Sequence, residues 1–167
     1  LGRAHRAGQF AFLSFDVPGL GEVHPFTIST APNKDRRLRF SIKPLGDYTG
    51  QMFAGLSVGA GAYVSGAHGR FLAPSGPGRQ VWVAAGIGIT PFLAWAEALG
   101  ARDGPVDLFY CVPDPQTAPH LSDLRAITEK KSNFRLHLVC STRDGRLTPE
   151  LVAEVLEGGL GSAKVWF

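Results

Sequence analysis

Cysteine is scarce in this sequence, and long apolar runs are absent. Only two cysteines, Cys111 and Cys140, occur among 167 residues, and each lies late in an apolar segment. That position predicts buried strand residues rather than a disulfide framework, so we expect a reducing compartment. No apolar run reaches the roughly 18 residues of a membrane span. No interleaving of aromatic and basic residues suggests a nucleic-acid partner.

Charged residues are also few, at 19% of the chain with a net charge of +3. The densest basic cluster is formed by Arg36, Arg37 and Arg39, with Lys34 close by. We interpret it as a solvated turn; the alternative is a contact with phosphate or an anionic surface. Glycine (21 residues) and proline (12 residues) are abundant and spread along the chain, which predicts many turns rather than disorder.

The first part of the chain, to about Pro77, has the pattern of short β-strands. The segments "QFAFLSF" and "AYVSG" are apolar, and "LRFSIKPL" alternates, with Leu38, Phe40 and Ile42 facing one way. Turn signals such as "VPGLG" and "APNKD" lie between them. This pattern predicts a small sandwich or barrel.

The second part alternates strands with helices, which predicts a parallel sheet with covering helices. Its predicted strands are "RQVWVAAGIG", "DLFYCV", "FRLHLVCS" and "KVWF", and its predicted helices are "TPFLAWAEAL", "HLSDLRAITEK" and "TPELVAEVLEG". We predict one domain over 1–77 and another over 78–167, because a glycine- and proline-rich segment covers 72–80. The chain starts without Met and ends in an apolar segment, so we expect it to be part of a longer protein.

A glycine turn at Gly86 and Gly88 lies directly after a predicted strand and before a predicted helix. Such glycines let a pyrophosphate approach the backbone, and the helix N-terminus offers free N–H groups. Thr90 is predicted as the N-cap and Pro91 as the first helical residue. Pro91 replaces the third glycine of G-x-G-x-x-G, and the next strand has no acid at its end. A tight turn with ordinary capping therefore remains the alternative.

Two segments in the first part could also hold an anion. Gly66 and Gly69 flank Ala67-His68, and Arg70 follows, which suits a phosphate as well as it suits an ordinary barrel corner. Thr49 lies at the expected N-terminus of a short helix, where free N–H groups point outward.

Taken in order, five segments make the chain resemble the ferredoxin–NADP reductase-like flavin reductase superfamily, and most closely its ferric reductase and NADPH oxidase branch. They are "GQF", "HPFTIST", "FSIKPLGDYT", "GAHGRF" and "AAGIGITPF". The resemblance covers nearly the whole chain, and in this family T-P is the usual ending of the glycine turn. It implies an incomplete antiparallel FAD-binding β-barrel followed by an NAD(P)H-binding α/β domain.

The resemblance also implies site residues. His24 would meet the FAD phosphates or ribityl chain, Phe26 would lie against the isoalloxazine, and Thr27 would act catalytically near flavin N5. The whole set of implied FAD contacts is His24, Pro25, Phe26, Thr27, Ile28, Ser29, Lys43, Thr49, Gly66, Gly69 and Arg70. The implied NAD(P)H contacts are Gly86, Gly88, Thr90, Pro91, Ser141 and Arg143. No metal ligand is expected. The family usually has proline and an aromatic residue where this chain has Ala67 and His68.

The implied activity is hydride transfer from NAD(P)H to FAD, followed by single-electron transfer to a haem, ferric or oxygen acceptor. No general acid or base is needed, which agrees with the lack of a recognisable carboxylate pair or Ser/His/Asp constellation. His120 and His137 are expected to be structural or exposed. The alternatives are a soluble ferredoxin, flavodoxin or flavohaemoglobin-type reductase, a non-catalytic ligand-sensing module, and an α/β domain with coincidental glycines.

The branch further implies a cytoplasmic location, at the cytosolic face of a membrane protein whose haem domain accepts the electrons. We expect the fragment by itself to be soluble, inactive and weak in FAD binding. Arg143, after the strand "FRLHLVC", offers a guanidinium for the 2′-phosphate of NADPH, so we predict NADPH preference. Asp144 is close enough to favour NADH instead, unless it serves the turn with Gly145.

Overall fold

The first half of the protein is a small antiparallel sheet packed against one helix. The computed structural model describes residues 5–156 and 159–167. The strands are β1 (Phe10–Phe15), β2 (His24–Thr27) and β3 (Ala62–His68), in the order β2-β1-β3, and α1 spans Asp47–Gly55. Both neighbours run antiparallel to β1. This arrangement confirms the incomplete antiparallel barrel that the family resemblance implied, and it agrees with the short strands predicted from the apolar segments.

The prediction of a strand at "LRFSIKPL" is wrong, because only Phe40 pairs, in an isolated bridge with Ile28. The alternation nevertheless has a structural meaning. Phe40 and Ile42 pack against the barrel core, whereas Ser41 and Lys43 line a cleft to which Ile42 also contributes. The segment therefore leaves the sheet while keeping one apolar and one polar side.

The second half is a four-stranded parallel sheet, as predicted. Its order is β6-β5-β4-β7, and every neighbouring pair runs parallel. The strands are β4 (Gln80–Ala85), β5 (Val106–Val112), β6 (Phe134–Cys140) and β7 (Lys164–Trp166), and the helices are α2 (Thr90–Ala98), α3 (Leu121–Lys130), α4 (Ser141–Asp144) and α5 (Pro149–Val155). The predicted last helix continues into 157–158, which lie outside the described residues. The architecture changes between His68 and Gln80, and the domain boundary at 77 stays a prediction.

Two helices differ from the prediction. A 3₁₀ turn at Gly86–Ile89 runs directly into α2, so Thr90 is the first helical residue and not the N-cap. Its hydroxyl donates to Ile87 O at 3.2 Å. The short α4 was not predicted, since four residues are too few to show a helical period. No helix in the described part of the chain is both long and apolar enough to cross a membrane.

The two halves meet through an aromatic contact and a polar contact. Phe71, just after the barrel sheet, stacks on Trp95 of α2 with ring centroids 4.4 Å apart. Arg39 Nη2 lies 2.7 Å from Glu97 Oε1, and Ala31 N donates to Glu97 Oε2 at 2.8 Å. The solvated turn predicted for the basic cluster therefore holds for the exposed Arg36 and wrongly includes Arg39, which joins the halves.

Candidate functional site

A cleft of about 420 Å³ lies between the barrel half and the glycine turn of the α/β half. It is lined by Pro25, Phe26, Thr27, Ser41, Ile42, Lys43, Leu45, Thr49, Ile87, Gly88, Thr90 and Pro91. Many residues implied by the resemblance are therefore brought together here from segments far apart in the sequence. We call this space the interhalf cleft.

Strand β2 forms one wall of the interhalf cleft. Its register pairs Pro25 with Phe12 and Thr27 with Phe10 of β1. Phe26 also packs against the barrel core, whose buried members include Leu13. Because β2 ends at Thr27, the chain presents the Thr27 side chain at the point where regular pairing stops.

His24 lies beside the interhalf cleft rather than in it. Its Nε2 is 3.0 Å from Glu22 Oε2, and its ring stacks on Tyr48 of α1 with centroids 3.7 Å apart. A second groove of about 380 Å³ adjoins it and shares Pro25, Phe26, Leu45 and Thr49 with the interhalf cleft. His24 therefore extends the surface of the interhalf cleft to the first residue of β2.

Ile28 and Ser29 are placed in the interior, where neither side chain has measurable exposure. The Ser29 hydroxyl donates to Arg39 O at 3.0 Å, and Ser29 N donates to the same carbonyl at 2.8 Å. The structure therefore uses both residues to hold the chain after β2 in place. Neither is brought into the interhalf cleft.

The facing wall is the glycine turn at the carboxyl end of β4. Gly86 has φ of +50°, a left-handed conformation that favours glycine. A Cβ added at Gly86 or Gly88 would meet nothing within 4 Å, so the backbone faces open space. Tyr110 fixes the turn from below, because its buried hydroxyl lies 3.1 Å from Gly86 O. Burial raises the pKa of Tyr110 to about 12. The hydroxyl therefore keeps its proton and remains a donor.

Lys43 is an exposed cation at the mouth of the interhalf cleft. Among the described residues, Lys43 has no hydrogen-bond or ion-pair partner. Its charge is therefore available to an anion. Thr49 differs, because its hydroxyl already accepts from Leu45 N at 3.0 Å and from Gly46 N at 3.1 Å. Thr49 thus caps α1 while its side chain also borders the cleft.

The loop at Gly66, Gly69 and Arg70 lies outside the interhalf cleft. Both glycines have positive φ, +74° and +95°. A Cβ on Gly66 would collide with the His68 ring, which folds back over the loop and packs edge-on against Phe12 at 5.3 Å. The His68 imidazole therefore covers this loop and packs on β1. Arg70 is exposed.

Ser141 and Arg143 form the start and centre of α4, at the carboxyl end of β6. Arg143 Nε lies 2.6 Å from Asp144 Oδ1, and Arg143 Nη2 lies 2.8 Å from Asp144 Oδ2. The hydrogen bond from Arg143 and one from Cys140 N lower the pKa of Asp144 to about 2. The guanidinium is therefore already paired with a carboxylate.

A larger groove of about 630 Å³ runs between α3 and the outer edge of β6. It is lined by residues such as Arg125, Phe134 and Leu138. It contains none of the residues implied by the resemblance and lies away from the glycine turn. We therefore place the candidate site in the smaller interhalf cleft.

Sequence reasoning missed one group of residues around the interhalf cleft. His120 Nε2 lies 2.6 Å from Ser41 Oγ, and His120 Nδ1 lies 2.9 Å from Asp123 Oδ2. Ser41 and His120 are 79 residues apart, so no local pattern could have joined them. In the sequence, Ser41 stood out only as a member of the alternating segment "LRFSIKPL". The one sign of a role in the site was its place two residues before Lys43, which also lines the cleft.

Comparison with known proteins gives matches on both halves. Residues 3–69 match the family model of an FAD-binding domain. The glycine betaine monooxygenase reductase subunit of Chromohalobacter salexigens is 26% identical over 144 residues, covering 83% of this chain and 39% of that protein. Dual oxidase 2 of Homo sapiens is 32% identical over 116 residues, covering 60% of this chain and 7% of that protein. The Bordetella pertussis flavohemoprotein is 28% identical over 138 residues, covering 77% of this chain and 34% of that protein.

The family match over the first part of the chain and these relatives support the resemblance to the ferredoxin–NADP reductase-like flavin reductase superfamily. Solved structures agree on the fold. The flavohemoglobin of Malassezia yamatoensis, with bound FAD and heme, has a TM-score of 0.76 at 22% identity, covering 97% of this chain and 44% of that one. The ferredoxin-NADP+ reductase of Plasmodium falciparum with 2′P-AMP has a TM-score of 0.77 at 18% identity, covering 96% and 73%.

This chain spans well under half the length of the curated reductases that it matches, 39% in one case and 34% in another. The match to an FAD-binding domain over residues 3–69 confirms the predicted cofactor FAD, whereas NAD(P)H stays a prediction. The site also fits such cofactors. The glycine turn leaves its backbone open to a pyrophosphate, and Lys43, which is unpaired among the residues that the structure describes, offers a cation in the same cleft.

Proposed function

We propose that the protein passes hydride from NAD(P)H to FAD and then single electrons to a haem, ferric or oxygen acceptor. The observation that supports this most is the convergence of the β2 wall and the glycine turn on one cleft. Hydride transfer requires donor and acceptor rings to be held in contact, and a cleft with one wall from each half suits that geometry.

The residues of the interhalf cleft bind and orient; FAD, when bound, supplies the hydride-accepting and one-electron chemistry. Thr27 offers a hydroxyl at the end of β2, where it would hydrogen-bond near the reacting edge of the flavin. Phe26 offers an apolar surface for the ring system, and Lys43 offers positive charge to an anionic group. The glycine turn at Gly86 and Gly88 receives the dinucleotide backbone of NAD(P)H.

For the acceptor we favour a haem group, in the manner of the ferric reductase and NADPH oxidase branch at the cytosolic face of a membrane. The matches to dual oxidase 2 and to flavohemoproteins support this choice. The second candidate is a soluble reductase that serves a separate oxygenase. The match to the betaine monooxygenase reductase subunit, which covers more of this chain, favours that alternative.

The hydride-transfer proposal is tested with the full-length protein loaded with FAD. We expect NAD(P)H to bleach the flavin absorbance under anaerobic conditions. Thr27→Ala should slow this bleaching by about tenfold or more, since a positioning hydrogen bond to the reacting group is lost, and Thr27→Ser should restore most of it. Bleaching at the wild-type rate in Thr27→Ala would remove Thr27 from the reaction. A full-length protein that binds no FAD would overturn the function itself.

We also propose that the coenzyme is NADPH, with Arg143 meeting its 2′-phosphate. A phosphate would have to compete with Asp144, whose carboxylate now holds the guanidinium in two hydrogen bonds. Because the pair is exposed, solvent screens it and the competition is feasible. Ser141 offers a hydroxyl next to the same position.

Steady-state kcat/KM for both coenzymes tests this choice. Arg143→Ala should lower the preference for NADPH by about tenfold or more, as expected for one lost charge-assisted contact. Asp144→Asn should raise it, because the competing carboxylate is gone. Arg125→Ala, on the exposed side of α3, is the control and should leave the ratio unchanged. Equal use of both coenzymes by the wild type would exclude the Arg143 assignment.

A further inference from the structure

Three side chains from two segments far apart in the sequence form a continuous hydrogen-bonded chain that begins in the interhalf cleft. Ser41 lines the cleft. Its Oγ is 2.6 Å from His120 Nε2, and His120 Nδ1 is 2.9 Å from Asp123 Oδ2. This is the order of groups, hydroxyl–imidazole–carboxylate, that moves protons in many enzymes. The superfamily assignment gives none of them a role.

The chemistry of the partners fixes where the hydrogens lie. An ionised carboxylate can only accept, so a neutral His120 must carry its proton on Nδ1 and donate it to Asp123. Nε2 is then an acceptor, and the Ser41 hydroxyl donates to it. The Ser41 hydrogen thus points away from the cleft, which leaves the oxygen lone pairs of Ser41 available to whatever occupies the cleft.

The only other acceptor near the Ser41 hydroxyl in the described structure is Ser29 Oγ, at 3.2 Å. The Ser29 hydroxyl already donates to Arg39 O at 3.0 Å. Ser29 can therefore accept from Ser41 but cannot compete with the shorter contact to His120. The Ser41–His120 hydrogen bond is the preferred state of a neutral imidazole.

The backbone at His120 has an unusual conformation and is fixed by a neighbouring hydrogen bond. His120 has φ of +60°, a conformation that non-glycine residues adopt rarely and that often marks a functional position. Tyr110 Oη lies 3.1 Å from Pro119 O, immediately before it. The charged groups around the chain are Asp123 itself, Arg39 at 3.5 Å from Asp123, and Glu97, which pairs with Arg39 at 2.7 Å. Asp123 is 44% exposed, so one end of the chain reaches water.

We propose that Ser41 and His120 carry protons out of the interhalf cleft, with Asp123 as the positioning residue. This inference rests on the proposed function. Oxidation of one NAD(P)H yields NAD(P)⁺, two electrons for the one-electron acceptor, and one proton, which must leave the cleft. Ser41 Oγ takes that proton as its own hydroxyl proton moves to His120 Nε2. The imidazolium, whose Nδ1–H is held by the Asp123 carboxylate, then releases the proton on Nε2 to water when the contact with Ser41 opens, which leaves the starting form with its proton on Nδ1.

The first arm of the test does not depend on activity. Nitrogen-15 NMR of the protein, with the His120 signals assigned by their loss in His120→Gln, reports which ring nitrogen carries the proton. We expect the proton on Nδ1, the less common form of a neutral histidine. A neutral ring protonated on Nε2 would overturn the proposal even in an active enzyme.

The second arm uses the FAD-loaded protein with ferricyanide as the one-electron acceptor. Ser41→Ala and His120→Gln should slow electron delivery by about a hundredfold, the lower end of what a positioned proton acceptor contributes, and should abolish its solvent isotope effect. Hydride transfer, followed separately with 4-deuterated coenzyme, should stay near the wild-type rate. Glu97→Gln weakens another contact between the same two halves and is the matched control, which should keep the isotope effect.

Three outcomes count against the proposal. The two variants could lose hydride transfer and FAD binding together, as a purely structural bridge would. They could keep the wild-type rate and isotope effect. Glu97→Gln could produce the same loss, which would assign the effect to the interface. A protein that fails to oxidise NAD(P)H at all would instead overturn the proposed function, and the NMR arm would still report on the chain of hydrogen bonds.

Discussion

The two halves of the molecule differ in how completely each covers its own core. The α/β half sandwiches its sheet and buries large side chains fully, among them Trp82, Trp95 and Tyr110. The barrel half has a three-stranded sheet with β2 and β3 at its edges, and a core of smaller extent. Exposed large apolar side chains are more numerous there, including Phe53 at 80% and Tyr63 at 66%, although Phe167 at the end of the α/β half is 90% exposed.

This difference indicates that the two halves contribute unequally to the stability of the molecule. The α/β half buries an extensive core of its own, and we infer that the barrel half takes part of its stability from contact with that core. Ala7, next to the barrel sheet, belongs to the α/β core, and Phe71 packs on the same core. The interhalf cleft therefore has one self-supported wall and one wall that depends on its neighbour.

The largest effect is expected at Asp107, which is 1% exposed and accepts from three side chains, Arg79, Arg135 and His137. Burial acts to raise its pKa, but the hydrogen bonds from His137 and Arg135 outweigh it and hold the pKa well below the usual range. Asp107→Asn should cost about 3 kcal/mol, the low end for breaking a buried ion pair, because Arg135 is partly hydrated. Guanidinium unfolding followed by tryptophan fluorescence measures it.

The matched control is Asp35→Asn, at an exposed position, which should change the free energy of unfolding little. Since the folded pKa of Asp107 is depressed, its stabilisation is present above its unfolded pKa and is lost as the pH falls through the folded value. The barrel half should lose protection from hydrogen exchange together with the α/β half in Asp107→Asn. A barrel half that is unaffected would contradict the dependence proposed here.

The second effect concerns the junction at Gly8, whose φ is +96°. A Cβ there would collide with Phe71 O and with Trp95 Nε1. Gly8→Ala should therefore destabilise the protein by about 2–3 kcal/mol through overpacking and backbone strain. Gly21→Ala is the control, since a Cβ at Gly21 meets nothing within 4 Å. Equal unfolding midpoints for the two variants would show that the junction tolerates displacement.

The smallest effect is expected at Glu97, the partner of Arg39 across the junction. Glu97→Gln keeps an acceptor for Ala31 N but removes the charge. It should cost about 1 kcal/mol, since both side chains are partly exposed and solvent screens the pair. The loss should shrink in high salt. A salt-independent loss would assign the effect to packing instead.

The sequence predicted the α/β half well because its signals are local. Strand and helix periods, such as those of β5 and α3, depend on neighbouring residues. The barrel half was harder, and the segment around Phe40 shows why. Its alternation is real, but whether an alternating segment pairs as a strand depends on a partner edge that sequence does not display. The sequence shows that Arg143 and Asp144 are adjacent. It does not show whether Asp144 acts on the coenzyme, serves the turn with Gly145 or pairs with Arg143.

The candidate site was predicted as separate motifs, and the structure joins them. Thr27 and Gly88 were each assigned through family motifs, whereas the Ser41–His120 contact required the fold. Long-range pairs of this kind carry no periodic signal in one sequence. Ser29 is buried against the segment that contains Arg39, whose carbonyl accepts from the Ser29 hydroxyl. The local sequence pattern does not specify the path of that segment.

Hydrogen–deuterium exchange of the full-length protein, with and without FAD plus NADP⁺, shows where the cofactors bind. We expect simultaneous protection of β2 (His24–Thr27), the segment 41–49 and the glycine turn with Pro91. Protection confined to the larger groove along α3 and β6, with no change at β2 or the turn, would contradict the assignment of the interhalf cleft as the cofactor site.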